Sequence, residues 1–110
     1  MVKMFVLFLL LSFFSVVFSA EFTAKEQEPR SVHMFTSGIF VFYATVTHGV
    51  PPACSGQNRW AIKSGSTVAK EIISMVIAAK ASSRTITVVG TGNCNPDGGS
   101  GYGIRYLYLN

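Results

Sequence analysis

Four segments of the chain carry apolar patterns that are typical of β-strands. Residues 39–47 are β-branched or aromatic almost throughout, which is the strongest strand signal in the sequence. Shorter or alternating signals follow at residues 59–62, 85–91 and 102–109. Residues 21–31 are polar and predict an extended or loose arm, and a further strand before Ile39 is left open.

A 3.6-residue period predicts one helix over residues 67–81, and Ser66 is suited to cap its N-terminus. Its apolar stripe has the spacing i, i+3, i+4, i+7 and consists of Ile72, Met75, Val76 and Ala79. Ile73 and Ile77 widen this stripe beyond the need of a helix that faces solvent on one side. The helix is therefore expected to pack against two surfaces, and a second subunit is a candidate for one of them.

The order strand, strand, helix, strand, strand predicts an α+β fold that is mainly β. Most connections are too short for a crossover helix, so the strands cannot all be parallel. We expect a small OB-like antiparallel barrel with one α-helix. Cys54 and Cys94 are the two cysteines of the chain, and one disulfide is the default expectation in an oxidising compartment. Two free thiols or a metal pair are the weaker alternatives.

The N-terminus has the pattern of a secretory signal peptide. Lys3 precedes an apolar run over residues 4–18, and small residues follow at Ser19 and Ala20. The run is short for a permanent membrane helix, which needs roughly 20 apolar residues. Residues 1–20 are therefore predicted to be removed, with residues 21–110 as a single domain that is secreted to the periplasm and then outside the cell; an uncleaved anchor is the alternative.

The charge and the polar residues give little sign of chemistry. Outside the predicted signal peptide, which contains Lys3, the chain has eight lysines and arginines and five acidic residues. The basic residues are spread along the chain, whereas a protein that binds nucleic acid usually has them clustered. No carboxylate pair, nucleophile motif or metal-ligand spacing stands out. The run 98–101 lacks the Gly-Lys-Ser/Thr ending of a phosphate loop. We expect no enzymatic activity, no cofactor, no metal and no nucleic acid partner.

Aromatic residues are the remaining candidates for recognition. Alternation along residues 102–109 predicts that Tyr102, Tyr106 and Tyr108 share one face of a strand. That face is either half-buried in a sheet or used for a sugar or a subunit contact. Trp60 is expected to anchor the core near the disulfide, with a binding platform as the alternative.

An ordered set of short motifs resembles a toxin family. The sequence has Glu21-Phe22-Thr23 after the signal, then Ser37-Gly38 opening a long strand, then Ala53-Cys54-Ser55, Trp60 and the helix. This order resembles the receptor-binding B subunits of bacterial AB toxins, in the branch of subtilase cytotoxin and the pertussis-like and typhoid toxins. The resemblance covers roughly residues 21–90.

The resemblance implies an OB-like barrel in a homopentameric ring, with the helix lining the pore. Such a ring would bind sialylated host glycans and carry a catalytic A subunit. The glycan-contacting serine of the family falls on Ser37, with Thr36 as the register alternative. The family pairs its Ala-Cys-Ser cysteine with an upstream one, which is missing here, so Cys54 would pair with Cys94. The sugar-contacting aromatic residue of relatives has no match near Val89, so the glycan specificity does not transfer.

The alternative function is a small secreted or periplasmic OB-like structural or inhibitory protein without a toxin partner, and a small secreted hydrolase is a third.

Overall fold

The computed structural model describes residues 21–54, 56–97 and 101–110. The predicted signal peptide lies outside the described residues. The elements in chain order are β1 (Thr23–Gln27), β2 (Arg30–Met34), β3 (Ile39–Tyr43), β4 (Arg59–Lys63), α1 (Thr67–Ser82), β5 (Ile86–Cys94) and β6 (Tyr102–Leu109). The expectation of a mainly β fold with one helix is confirmed for the described part of the chain.

All six strands form one sheet in the order β1-β5-β6-β4-β3-β2. Neighbouring strands are antiparallel except for β4 and β6, which are parallel. This pair departs from the antiparallel sheet expected from the sequence. Its physical reason is that α1 and β5 lie between the two strands in the chain and supply the long connection that a parallel pair needs.

The two outermost strands of the sheet, β1 and β2, are consecutive in the chain. Only Glu28 and Pro29 separate them, so the link from Gln27 to Arg30 reaches at most about 11 Å. A flat sheet of six strands would hold its edges about 24 Å apart. The sheet is therefore strongly curled, although no ladder joins β1 to β2 among the described residues and it is not closed.

Of the two expectations for the N-terminal arm, extended or loose, the structure has the extended one, as an ordered and bent strand pair. Glu26 within β1 and Ser31 within β2 have positive φ values of 52° and 49°, and each lies where its strand shifts register against its partner, so each strand is bent at a bulge. Beyond β3, the chain runs back to β1, where the Thr23 N–H donates to the carbonyl of His48 over 2.8 Å. The predicted strand 39–47 thus ends at Tyr43 as a sheet strand, and its continuation borders the free edge of β1.

An aromatic cluster fills the inside of the curled sheet. The rings of Phe22, Trp60 and Tyr102 lie with centroids 4.9–5.2 Å apart, and all three residues are buried. The Trp60 indole N–H donates to the carbonyl of Ala44 over 2.9 Å, which satisfies the polar atom of a buried ring. Trp60 is therefore a core anchor, as expected.

Helix α1 covers this core with the predicted stripe. The Ser66 hydroxyl accepts a hydrogen bond from the Ala69 N–H over 3.0 Å, so the predicted N-cap is confirmed. The buried residues of the helix are Ala69, Ile72, Val76 and Ala79. Val68 and Ile77 are exposed, at 67% and 51%. No helix within the described ranges has both the length and the apolar character that crossing a bilayer requires.

Cys54 and Cys94 form the disulfide that was expected. It joins the loop before β4 to the end of β5, and the two Cα atoms are 5.7 Å apart. Cys54 precedes β4, and Cys94 precedes β6. The bond therefore joins the two ends of the long connection that runs from β4 through α1 and β5 to β6.

The tyrosines of β6 do not share one face, which makes that prediction wrong. Val89 pairs with Tyr106 but Gly90 pairs with Ile104, so β6 has one extra residue at this point. A bulge of this kind reverses the alternation of side chains along the strand. Tyr102 is consequently buried, whereas Tyr106 and Tyr108 are about half exposed and stack on each other with an interplanar angle of 17°.

Candidate functional site

The two residues that the sequence selected, Thr36 and Ser37, lie in the turn between β2 and β3. Both are exposed. The Phe35 N–H donates to the carbonyl of Ile39, and the Gly38 N–H donates to the carbonyl of Phe35, each over 2.9 Å. Gly38 has a φ of +91°, which a residue without a Cβ adopts at little cost. The hairpin thus presents Thr36 and Ser37 at its tip.

The end of β4 holds this turn in place. The Lys63 ammonium donates to the carbonyl of Ser37 over 2.8 Å. Ser64 donates to the carbonyl of Gly38 from its backbone N–H over 2.8 Å and from its hydroxyl over 2.7 Å. Three hydrogen bonds therefore fix the turn to the neighbouring strand end. They also bring a lysine side chain to Ser37.

Strands β2, β3 and β4 share a surface that we call the basic face. It is the side of these strands that points away from the aromatic cluster. Strand register places on it Arg30, His33, Phe35, Ile39, Val41, Tyr43, Arg59, Ala61 and Lys63. Ile39, Val41 and Ala61 form a small buried cluster of their own and are the floor of this surface.

Aromatic rings and cations stand together on the basic face. Phe35 is 39% exposed. The guanidinium carbon of Arg59 lies 5.3 Å from the centroid of the Phe35 ring, which is a cation–π contact. The His33 ring meets Phe35 edge-on, with centroids 5.1 Å apart. The face can therefore offer a partly exposed ring and positive charge to the same ligand.

A cleft of about 480 Å³ adjoins the site at Lys63. Its walls come from the end of β4, the beginning of β6 and the segment after β5, and they include Ser64, Ser66, Asn95 and Asp97. Asn95 is buried and holds this segment on the sheet, because its amide donates to the carbonyl of Ala61 over 2.9 Å. The cleft has the size of a small-molecule site and offers hydroxyl, ammonium and carboxylate groups.

The sequence found only part of this site. Ser37 and Thr36 came from the family resemblance, whereas Phe35, Arg59 and Lys63 were missed. The alternation of residues 59–63 was a usable signal, because it puts Arg59 and Lys63 on one face of a strand. What the sequence lacked was the strand register that sets Lys63 beside Ile39 and thereby beside the turn.

The described residues contain no group of three or more histidine, cysteine, aspartate or glutamate side chains arranged to hold a metal ion. The chain matches no protein-family model, no curated protein and no solved structure in three separate comparisons.

Proposed function

We propose that this chain is a non-catalytic B subunit of a bacterial AB toxin, which binds sialylated glycans on host cells and delivers a catalytic A subunit. The observation that carries the proposal is the exposed turn with Thr36 and Ser37, fixed to Lys63 and next to the exposed Phe35 ring. A serine hydroxyl both donates and accepts hydrogen bonds, as sugar hydroxyls require. An ammonium group pairs with the carboxylate of a sialic acid, and an aromatic ring offers an apolar surface to the sugar.

The proposed barrel is OB-like, and the sheet order supports it. In an OB-fold the second and third strands and the loop that precedes them bind oligosaccharides or oligonucleotides. If the bent pair β1 and β2 counts as one first strand, then β3 and β4 are the second and third. The turn with Ser37 is then the loop before the second strand, so the fold and the resemblance favour the same surface.

The proposed assembly is a homopentameric ring around α1. Val68 and Ile77 differ by nine positions, which puts them on opposite flanks of the helix, and both are exposed. A contact between unlike flanks of neighbouring copies is heterologous, and such contacts can close into rings. Five weak glycan sites on one ring would raise the overall affinity by orders of magnitude.

Secretion is proposed from the signal-peptide pattern. The disulfide supports it, because such bonds persist in the periplasm and outside the cell and are rare in the cytosol.

The glycan site is tested on an array with the secreted protein and three variants. Ser37→Ala and Lys63→Met each remove one polar group from the site, whereas Lys80→Met removes an exposed lysine from the last turn of α1. We expect binding of sialylated glycans that falls about tenfold in each of the first two variants, since hydrogen bonds to charged groups contribute about 1.5–3 kcal/mol. Lys80→Met should bind like the unchanged protein.

Two results would contradict the proposal. A protein that binds no sialylated glycan has no such site, and binding that is unaffected by Ser37→Ala would remove this turn from it. A glycan-inert monomer at micromolar concentration would instead favour a small secreted structural or inhibitory protein.

A further inference from the structure

The cleft beside Lys63 lies where two parallel strands of the sheet separate. Among the described residues, the ladder between β4 and β6 ends with the pair Ala61 and Gly103. Beyond this pair β4 ends and the chain turns away into α1, whereas β6 continues along β5. The cavity of about 480 Å³ is lined by both strands at this point, and its volume is typical of a small-molecule pocket.

The segment that follows β5 is fixed to the sheet and forms the wall of the cleft with Asp97. The buried Asn95 donates from its side-chain amide to the carbonyl of Ala61 over 2.9 Å and from its backbone N–H to the carbonyl of Gly101 over 2.8 Å. Its side-chain oxygen accepts the Asp97 N–H over 2.8 Å. Three hydrogen bonds of one buried residue therefore hold this wall, so a ligand does not have to order it.

The cleft and the turn with Ser37 share a wall. Lys63 and Ser64 line the cleft, and both also bond to the turn. The Lys63 ammonium donates to the carbonyl of Ser37 over 2.8 Å, and the Ser64 hydroxyl donates to the carbonyl of Gly38 over 2.7 Å. The Ser37 carbonyl takes one of the three N–H donors of Lys63, which leaves two for other acceptors. A ligand at the turn therefore reaches the cleft across Lys63.

The cleft carries charges of both signs. Lys63 contributes an ammonium from β4 and Asp97 a carboxylate from the segment after β5, while Ile104 adds apolar surface from β6. Within the described ranges, the only ion pair joins Arg105 to Glu21. Lys63 and Asp97 therefore do not neutralise each other, and both remain open to a ligand.

This combination of groups fits an uncharged sugar. A hydroxyl group accepts a hydrogen bond from an ammonium and donates one to a carboxylate, and both bonds are charge-assisted. A second acidic sugar would instead bring its carboxylate to Asp97, and like charges in a contact are unfavourable. The charge of Asp97 thus distinguishes between a neutral and an acidic sugar in the cleft.

We propose that the cleft binds a neutral sugar that is linked directly to the sialic acid at the turn. The inference rests on the glycan-binding function proposed above and specifies its substrate class. The recognised unit is a sialic acid joined to a neutral sugar, rather than sialic acid alone or two sialic acids in a row. The acidic sugar lies at Ser37 and Lys63, and the hydroxyls of the next sugar donate to Asp97.

The cleft is tested by titration calorimetry at one ionic strength with three ligands: the methyl glycoside of sialic acid, sialic acid linked to galactose, and sialic acid linked to a second sialic acid. We expect sialyl-galactose to bind about tenfold more tightly than the methyl glycoside, as one added charge-assisted hydrogen bond allows. The disialyl ligand should show no such gain. Saturation-transfer NMR should show contact of the protein with the galactose protons as well as with those of the sialic acid.

Asp97→Ala should remove the ratio between sialyl-galactose and the methyl glycoside, because both ligands keep the same acidic sugar and only one reaches this carboxylate. Asp97→Asn leaves an uncharged acceptor at the same place and should keep part of the ratio. Glu71→Ala is the matched control, since Glu71 is an exposed carboxylate on α1 that does not line the cleft. It should leave the ratio unchanged.

The outcomes separate this inference from the function on which it rests. Equal affinity for the methyl glycoside and sialyl-galactose, or a ratio that Asp97→Ala does not change, overturns the neutral-sugar subsite alone. Tighter binding of the disialyl ligand than of sialyl-galactose also overturns it, because the cleft then accepts an acidic sugar. Absence of binding for all three ligands overturns the proposed function with it.

Discussion

At the scale of single residues, Gly90 and Phe22 show how closely the core is packed. A Cβ at Gly90 would lie 2.4 Å from Cζ of the Phe22 ring and 2.6–2.8 Å from two further ring atoms. Phe22 is buried against Trp60 and Tyr102 and cannot move aside without disturbing both. The glycine is therefore required by space rather than by an unusual backbone angle.

Gly90→Ala is predicted to lower the free energy of unfolding by about 1–3 kcal/mol, the usual cost of one methyl group too many in a packed core. Urea unfolding followed by the fluorescence of the single tryptophan measures it. Phe22→Leu removes the ring that the methyl group would strike. The double variant should therefore lose less than the sum of the two single losses. Strict additivity would show that the two positions do not meet.

At the scale of the elements, the disulfide closes the long connection between β4 and its parallel neighbour. We predict that Cys54→Ala with Cys94→Ala lowers the free energy of unfolding by about 4 kcal/mol, because the unfolded chain then regains the freedom of a loop with a sequence separation of 40 residues. Urea unfolding of the variant and of the oxidised parent gives the difference. A loss below about 1 kcal/mol would mean that the crossover is held by packing alone.

The elements also show which parts of the fold the sequence could predict. The helix was predicted almost to its ends because Ser66 and the stripe at Ile72 and Val76 act within one segment. Strands β1 and β2 were predicted only as an extended or loose arm and an undecided strand before Ile39, because their residues are mostly polar and Pro29 separates them, while pairing with β5 and β3 decides their conformation. The face of the sheet on which Tyr106 lies was predicted wrongly, because a bulge in the pairing of β6 with β5 reverses the alternation of side chains along β6.

The residues of the candidate site also fall into those that the sequence could predict and those that it could not. Ser37 was selected by the resemblance to the toxin family, because the glycan-contacting serine of that family falls on this position. Lys63 and Arg59 join it only through the register of β3 against β4, which depends on packing across the whole sheet. Residues that are far apart in the chain gave no sequence signal that they would share one face.

At the scale of the whole molecule, the proposed ring depends on the two flanks of α1. Ile77→Glu is predicted to convert the ring to monomers, because a charge would then be buried in each contact between copies. Analytical ultracentrifugation at micromolar concentration measures the change. Val50→Glu is the matched control, since Val50 is exposed to 81% but lies outside α1. A chain that is monomeric before any substitution, or a ring that survives Ile77→Glu, would contradict this arrangement.

Phe22 also has a consequence for the order of events during export. The predicted cleavage site lies within three residues of this ring, which is 1% exposed in the folded domain. A peptidase needs several residues on either side of its target in an extended form, so Phe22 cannot be in the core while the leader is being cut. If the proposed leader is removed by a peptidase, its removal therefore precedes the closing of the aromatic cluster.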